Sequence, residues 1–447
     1  MINKNTSYKE FFKDKKITII GLGLLGRGIG DAVFLAECGA KLTITDLKTK
    51  AELKESLKKL NKFRNIKYVL GKHDLEDFKN ADFILKAAGV PIDSIFIKEA
   101  RKHKVPIEMD VSFFAKFAQG VKIVGVTGTR GKSMTTALIY QILSKNIKDR
   151  EIFLGGNVRG VATLPLLKKS KAGDILVCEL DSWQLQGFGD SKISPNIAVF
   201  TSFMPDHMNY YKNSMKNYFA DKANIFKYQK KVDVLIIRPD MKKLIPKNIK
   251  SKLIMVNKKD VAGWKFNVLG DHHKENLACA VAVAKTLGVP IQKIKASVAK
   301  FSHLEGRMQQ LPSYKGIKIY NDNNATTPKA TIAGIEALSQ NFKNKKIILI
   351  CGGNDKGLEL KSFSKVLDRY CKLIITIPGT GTDRLFNTKF ESRIMGTKNL
   401  KEAVKVAHDE AVSGDILLFS PGFSSFSQYS NEYERGDEFI KLIKKWK

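Results

Sequence analysis

Val121-Lys-Ile-Val-Gly-Val126 runs directly into Thr127-Gly-Thr-Arg-Gly131-Lys132-Ser133, and Met134-Thr135-Thr136 follows. A short apolar strand that ends in a glycine-rich turn and re-emerges as a helix is a nucleotide-binding unit of parallel α/β sheets. The spacing departs from the strict GxxxxGK(S/T) form, because the position five before Gly131 is Val126. The chemically necessary parts remain. N–H groups of Gly128, Thr129, Arg130 and Gly131 can cradle phosphate oxygens. Lys132 can meet the β- and γ-phosphate charge, and Ser133 can place a hydroxyl on Mg²⁺ where Met134 enters the helix. The expected ligand is ATP.

Apolar strands alternate with amphipathic stretches on both sides of this unit. Toward the N-terminus lie Lys16-Ile-Thr-Ile-Ile-Gly21, Lys41-Leu-Thr-Ile-Thr-Asp46 and Phe83-Ile-Leu-Lys-Ala-Ala88. After the glycine turn come Asp174-Ile-Leu-Val-Cys-Glu-Leu180 and Asn196-Ile-Ala-Val-Phe-Thr201. A third block holds Ile317-Lys-Ile-Tyr320, Lys346-Ile-Ile-Leu-Ile-Cys351, Lys372-Leu-Ile-Ile-Thr-Ile377 and Asp415-Ile-Leu-Leu-Phe419. The pattern predicts an α/β protein of three domains. These are an N-terminal Rossmann-like domain (1–109), a central P-loop mononucleotide-binding parallel sheet (110–308) and a C-terminal Rossmann-like domain (309–447). A length of 447 residues agrees, at about 150 per domain.

A second glycine turn, Gly21-Leu-Gly23-Leu-Leu-Gly26, also follows a strand, and Asp46 ends the next one. Read alone, it is a diphosphate cradle at a helix N-terminus with Asp46 on a ribose hydroxyl, as in NAD-binding domains. A tight strand–helix turn without a ligand is the plainer alternative.

Lys+Arg number 77 and Asp+Glu 44, a formal net charge of +33. That balance favours anionic partners without choosing among nucleotides, nucleic acid and an acidic membrane face. Residues 227–259 are lysine-dense, but aromatics do not interleave the lysines as a base-stacking platform requires. A solvated face and no nucleic-acid partner are expected there. Five scattered cysteines form no CxxC pair, which argues against a disulfide framework or zinc ribbon and fits a reducing cytosol. No secretory h-region opens the chain, and no apolar run approaches the roughly 18 residues that span a bilayer. The expectation is a cytoplasmic monomer without membrane insertion.

Glu179 closes the strand 174–180, and Asp206-His207 follow the strand 196–201. Ligands of parallel sheets sit beyond the carboxyl ends of the strands, so Glu179 and His207 are placed to converge on Lys132. A carboxylate there can hold the Mg²⁺ that bridges phosphates. Further motifs follow in order: GGN at 155–157, LGDHHKEN at 269–276, EGRMQ at 305–309 and NDNNATTPKAT at 321–331. GGNDKG at 352–357, SPGFSSFSQY at 420–429 and RGDEF at 435–439 complete the set. With TGTRGKSMTT and ELDSWQL they resemble the Mur ligase family over nearly the whole chain. Both ends are most similar to the members that add D-glutamate to UDP-N-acetylmuramoyl-L-alanine. The DNPR-type stretch of the members adding a diamino acid or lysine is absent.

The resemblance implies ATP-dependent amide formation through an acyl phosphate, in peptidoglycan precursor synthesis, with two Mg²⁺ ions. It turns the first glycine turn from NAD to the UDP substrate. Gly23, Leu24 and Leu25 would take the diphosphate, Asp46 and Gly89 would flank the uridine, Lys48 would add a cation and Asn157 would meet the substrate. Ser133 and Glu179 would hold one Mg²⁺ and His207 the other. Lys222 matches a lysine carbamylated by CO₂ to give a further metal ligand, which requires an amine well below the usual value of about 10.4. Asn276, Arg307 and Asp322 match positions around ATP; Thr326, Lys356, Ser425 and Phe426 match positions around D-glutamate.

The sequence departs from the family pattern at His273 (commonly Asn), Asn324 (commonly Lys), Glu432 (commonly aromatic) and Asp181 (commonly Ser). Another Mur-type or folylpolyglutamate-type amino-acid ligase is the nearest alternative, although the folate enzyme lacks the N-terminal domain. A P-loop nucleic-acid ATPase and an NAD-dependent dehydrogenase are the alternatives from other classes.

Overall fold

A computed structural model describes residues 7–24, 26–268, 270–301, 304–339, 346–355, 357–389, 391–425, 428–429 and 431–446. The first sheet consists of β1 (Lys16–Ile20), β2 (Lys41–Asp46), β3 (Ile66–Leu70), β4 (Phe83–Lys86) and β5 (Ile107–Glu108). All its strands are parallel, in the order β3-β2-β1-β4-β5. The order reverses between β1 and β4, which opens a crevice at their carboxyl ends where a dinucleotide-type ligand lies in such sheets.

The second sheet consists of β6 (Lys122–Thr127), β7 (Ile152–Gly156), β8 (Ile175–Glu179), β9 (Ile197–Phe200), β10 (Val234–Ile237) and β11 (Lys252–Met255). It too is wholly parallel, in the order β11-β10-β9-β6-β8-β7. Every residue of β8, β9 and β10 is buried. A parallel sheet covered on both faces has no use for alternation, so its inner strands read as unbroken apolar runs.

The third sheet is mixed. Its strands β12 (Gln309–Tyr314), β13 (Ile317–Asn321), β14 (Ile347–Gly352), β15 (Cys371–Ile377), β16 (Arg393–Gly396) and β17 (Ile416–Gly422) lie in the order β12-β13-β17-β14-β15-β16. The sequence reading did not include β12, which pairs antiparallel with β13. Pro312 within it reads as a break, and proline is tolerated on an edge strand such as this one. The two-residue connection has positive φ at both Lys315 (42°) and Gly316 (80°), the backbone of a tight hairpin whose twist suits the flanking strands.

The chain divides into two compact units, Met1–Trp264 with Lys274–Val298, and Lys265–His273 with Ala299–Lys447. The first holds two sheets because they share one apolar core. Phe12, Phe34, Phe83 and Phe113 from the N-terminal part are continuous with Leu164, Leu185 and Phe200 of the central part. In the second unit Ile348, Ile375, Leu417 and Phe419 cover one face of the sheet, and Leu349, Phe363 and Leu418 the other. Among the described residues, no helix is long and apolar enough to cross a membrane.

Candidate active site

The P-loop backbone cannot carry other side chains at its two glycines. Gly131 has φ 88° as the cap of the helix Lys132–Asn146, and Gly128 has φ 145°. A Cβ on Gly128 would lie 2.1 Å from Thr201 Oγ1, and one on Gly131 would lie 2.4 Å from Asn276 Oδ1. The segment after β9 holds the turn. Thr129 N–H donates to Ser202 O (2.8 Å), and Arg130 N–H donates to Ser202 Oγ (2.9 Å). Lys132 Nζ folds back to donate to Gly128 O (3.0 Å) and Thr129 O (3.2 Å). The helix dipole at this N-terminus, with the Lys132 charge beside it, favours an anion.

Three further groups surround the turn. Glu179 pairs beside Val126 in the sheet, and its carboxylate is buried without a hydrogen bond or ion pair among the described residues. Lys222, on the helix Met215–Lys227, is 1% exposed and donates from Nζ to Gly128 O at 2.9 Å. Burial, aided by the Lys132 charge, lowers its pKa to about 7. Its ammonium also lies over the Tyr218 ring, whose hydroxyl is 3.3 Å from Thr129 Oγ1. His207 has left-handed backbone (φ 53°), rare for a residue with a Cβ. Partial desolvation of this still-exposed side chain lowers its pKa and the Asp206 carboxylate opposes the shift, which favours the neutral imidazole with a lone pair for a metal.

The first glycine turn has the same construction. Gly21, Gly23 and Gly26 all have positive φ, and Gly26 caps the helix Arg27–Glu37. Asp46 holds this turn: its Oδ2 accepts from Gly23 N–H (3.1 Å) and its Oδ1 from Lys48 N–H (2.9 Å). Lys86, 2% exposed at the end of β4, donates to Val90 O (2.9 Å) and Ala87 O (3.2 Å), which clamps the loop carrying Gly89. Burial pulls its pKa down to about 8. The turn packs on the segment after β7. Asp31 Oδ1 accepts from Leu164 N–H (3.0 Å), and Asn157 N–H donates to Glu179 O (2.7 Å). The GGN stretch therefore bonds the end of β8 at Glu179, and the chain that leaves it packs on the helix after the first glycine turn.

In the second unit, Met308 N–H donates to Asp322 Oδ1 (3.1 Å), and Asn324 N–H donates to Gly306 O (2.9 Å). These bonds bring Arg307 and Asp322 into one pair of facing turns. Asp322 is buried, and burial raises its pKa to about 7. The ends of β13 and β17 meet through Gly422 N–H and Ala325 O (2.8 Å), which places Thr326 and Ser425 on neighbouring loops. Arg435, 0% exposed, fastens this corner with bonds to Asn323 Oδ1 (2.8 Å), Asn323 O (3.1 Å) and Phe423 O (3.4 Å).

The sequence matches the Mur ligase MurD-like N-terminal domain over residues 15–108, the Mur ligase middle domain over 126–264 and the Mur ligase glutamate ligase domain over 306–423. It is 33% identical to UDP-N-acetylmuramoylalanine--D-glutamate ligase of Borreliella afzelii, covering 96% of this chain and 98% of that protein. The chain belongs to the Mur ligase family. The namesake from Streptococcus mutans is 31% identical over 98% of each chain. Mur ligase structures share the fold. MurC of Thermotoga maritima matches with a TM-score of 0.65 and 20% identity over 97% of this chain and 100% of that one. MurF of the same organism, in complex with ADP, matches at 0.60 and 16% identity over 100% and 97%.

Within this Mur ligase, Lys132, Ser133, Glu179, His207, Lys222 and Asn276 gather at the carboxyl end of the central sheet. Gly23, Leu24, Asp46, Lys48 and Gly89 gather at that end of the first sheet. Arg307, Asp322, Thr326 and Ser425 belong to the second unit. Leu25, Lys356 and Phe426 lie outside the described residues.

The family implies Mg²⁺, and the donors present fit it. Glu179 offers carboxyl oxygens without a hydrogen bond or ion pair among the described residues, the hard donor this ion takes. Among the described residues, no three His, Cys, Asp or Glu side chains form a closed metal cage.

Sequence reasoning missed Lys86, Tyr218 and Arg435. Lys86 had a signal, a cation closing an apolar strand. Arg435 was quoted within a motif without a role, and Tyr218 had no signal.

Proposed function

We propose that this enzyme joins D-glutamate to UDP-N-acetylmuramoyl-L-alanine with ATP, in peptidoglycan precursor synthesis. The observation that carries the reading is identity of 31–34% over at least 96% of the chain to relatives named for that reaction. The sites at the carboxyl ends of three sheets support it. The domains are assigned to 1–109, 110–308 and 309–447, each enclosing one sheet.

A carboxylate is a poor electrophile, and its approach to ATP brings two anions together. Lys132 and the N-terminus of the helix Lys132–Asn146 concentrate positive charge at the terminal phosphate, which the loop Gly128 to Gly131, Met134 and Asn276 border. The substrate carboxylate oxygen attacks the γ-phosphorus, the bond to the β-phosphate oxygen breaks, and ADP leaves. The D-glutamate amine then attacks the acyl carbon, phosphate departs with its oxygen, and the nitrogen sheds a proton. Arg307 and Asp322, of the second unit, match family positions assigned to ATP. Thr326, Lys356, Ser425 and Phe426 receive D-glutamate. Gly23, Leu24, Leu25, Asp46, Lys48, Gly89 and Asn157 receive the UDP substrate.

Ser133 and Glu179 would hold one Mg²⁺, and His207 with a carbamylated Lys222 would hold a second. Bound there, Mg²⁺ would supply neutralisation of phosphate charge. A Lys222 amine that loses its proton near pH 7 is competent to add CO₂.

The test is phosphate release with ATP, Mg²⁺ and UDP-N-acetylmuramoyl-L-alanine, comparing D-glutamate with L-glutamate, L-alanine and diamino acids. Release is expected with D-glutamate alone. Asn324 and Glu432 alter the charge near the amino-acid loops. Release only with another amino acid would therefore assign a different Mur-type ligase. Lys132→Ala should lower kcat by about a hundred- to a thousandfold.

A further inference from the structure

The strands of the central sheet are parallel and in register at their starts. Lys122 on β6 faces Ile175 on β8, Ile197 on β9 faces Val234 on β10, and Val234 faces Lys252 on β11. The loops entering these five adjacent strands therefore lie along one edge. They are residues 118–122, 169–174, 191–196, 228–233 and 246–252, and they carry nine lysines, all exposed, against two acids. Both acids are buried and occupied. Asp174 accepts N–H bonds from Lys171 (2.7 Å) and Glu151 (2.9 Å), and Asp233 accepts one from Lys230 (2.7 Å). Lys122, Lys192, Lys230, Lys231, Lys250 and Lys252 form no ion pair among the described residues. At the tip of one loop, Val232 is 86% exposed between Lys231 and Asp233.

We infer that this edge is a docking face for an anionic lipid surface. Five strands at about 4.8 Å spacing spread the charge over about 19 Å, a broad front rather than a groove. The cations are all lysines, point charges without the planar fork that reads phosphate geometry in nucleic acids. No exposed aromatic side chain on these loops offers a stacking surface for bases. An apolar tip flanked by lysines matches a membrane interface, where the valine enters the headgroup boundary and the ammonium groups stay with lipid phosphates. The P-loop lies at the opposite end of the same strands, so a docked molecule presents its nucleotide site to solution. Lys230, Lys231, Lys247, Lys250 and Lys252, from the lysine-dense stretch 227–259 read from sequence as a solvated face, belong to this front.

The test is co-sedimentation of the full chain with vesicles of phosphatidylcholine, with and without phosphatidylglycerol. Binding to the anionic vesicles alone is expected, and it should fall as salt is raised. Replacing Lys230, Lys231, Lys250 and Lys252 together by Glu should cost at least roughly fivefold in binding per lysine. The charge-matched set Lys361→Glu, Lys365→Glu, Lys401→Glu and Lys405→Glu should retain binding. Val232→Ser should weaken binding with no change in net charge. Unchanged ligase activity in solution shows that each variant is folded. Equal binding to neutral vesicles, equal loss in both lysine sets, or tighter binding of RNA or DNA through the same four lysines would each overturn the proposal.

Discussion

Lys222 and Asp322 are ionisable groups that burial displaces in opposite directions, and each makes a different prediction. Lys222 has its pKa lowered to about 7 by burial and then by Lys132. If its carbamate completes the metal site, Lys222→Ala should lose roughly a hundredfold or more in kcat, and a short-chain carboxylic acid should restore part of it. Full activity in the alanine variant would exclude that role. Asp322 has its pKa raised from 3.8 to about 7, so the folded state holds its proton more tightly than the unfolded chain. Its contribution to stability is complete below the unfolded value and is lost as pH rises through the folded one. The loss approaches about 1.4 kcal/mol for each pH unit in that window. Thermal unfolding should show the wild type weakening from pH 5 to 8, with Asp322→Asn flatter over this range. Parallel curves would mean that Asp322 does not titrate there.

At the level of elements, the helix after the first glycine turn lies unusually close to the segment after β7. A Cβ on Gly30 would lie 2.4 Å from Ala162 Cβ. Within a helix, Gly→Ala normally gains about 1 kcal/mol. Here both colliding atoms are bonded directly to backbone and neither can rotate away, so overpacking of about 1–3 kcal/mol should prevail. Gly30→Ala should lower the urea midpoint, and adding Ala162→Gly should recover most of the loss. Additive effects in that cycle would show that the contact is not what restrains position 30. This packing places the diphosphate turn against the chain that leaves GGN, and Asp31 reinforces it through Leu164 N–H. The P-loop, the first glycine turn and ten of the strands were legible because local pattern specifies them. The Gly30–Ala162 contact joins residues far apart in sequence, and no single-chain periodicity carries such a pair.

For the whole molecule, the sheets of residues 16–108 and 122–255 share one apolar core, whereas the third has its own. Calorimetry should resolve two unfolding transitions rather than three. Phe12 is fully buried in the shared core, in ring contact with Phe34, Phe83, Phe113 and Phe117. Phe12→Ala should remove about 3–5 kcal/mol from the first unit. Amide exchange should accelerate in β1 and β9 together. Acceleration confined to the first sheet would show that the two sheets unfold separately.

The sequence by itself determined the strand–turn–helix units, the family and the chemical type of each site residue, because glycine spacing and apolar runs are local properties. It could not determine which side chains burial would leave unpaired or perturbed. Glu179 without a partner, Lys222 and Asp322 with pKa values near 7, and the cationic edge of the central sheet each depend on residues far apart in sequence. Desolvation and summed charge are set by what surrounds a group in space, and only the tertiary structure supplies those surroundings.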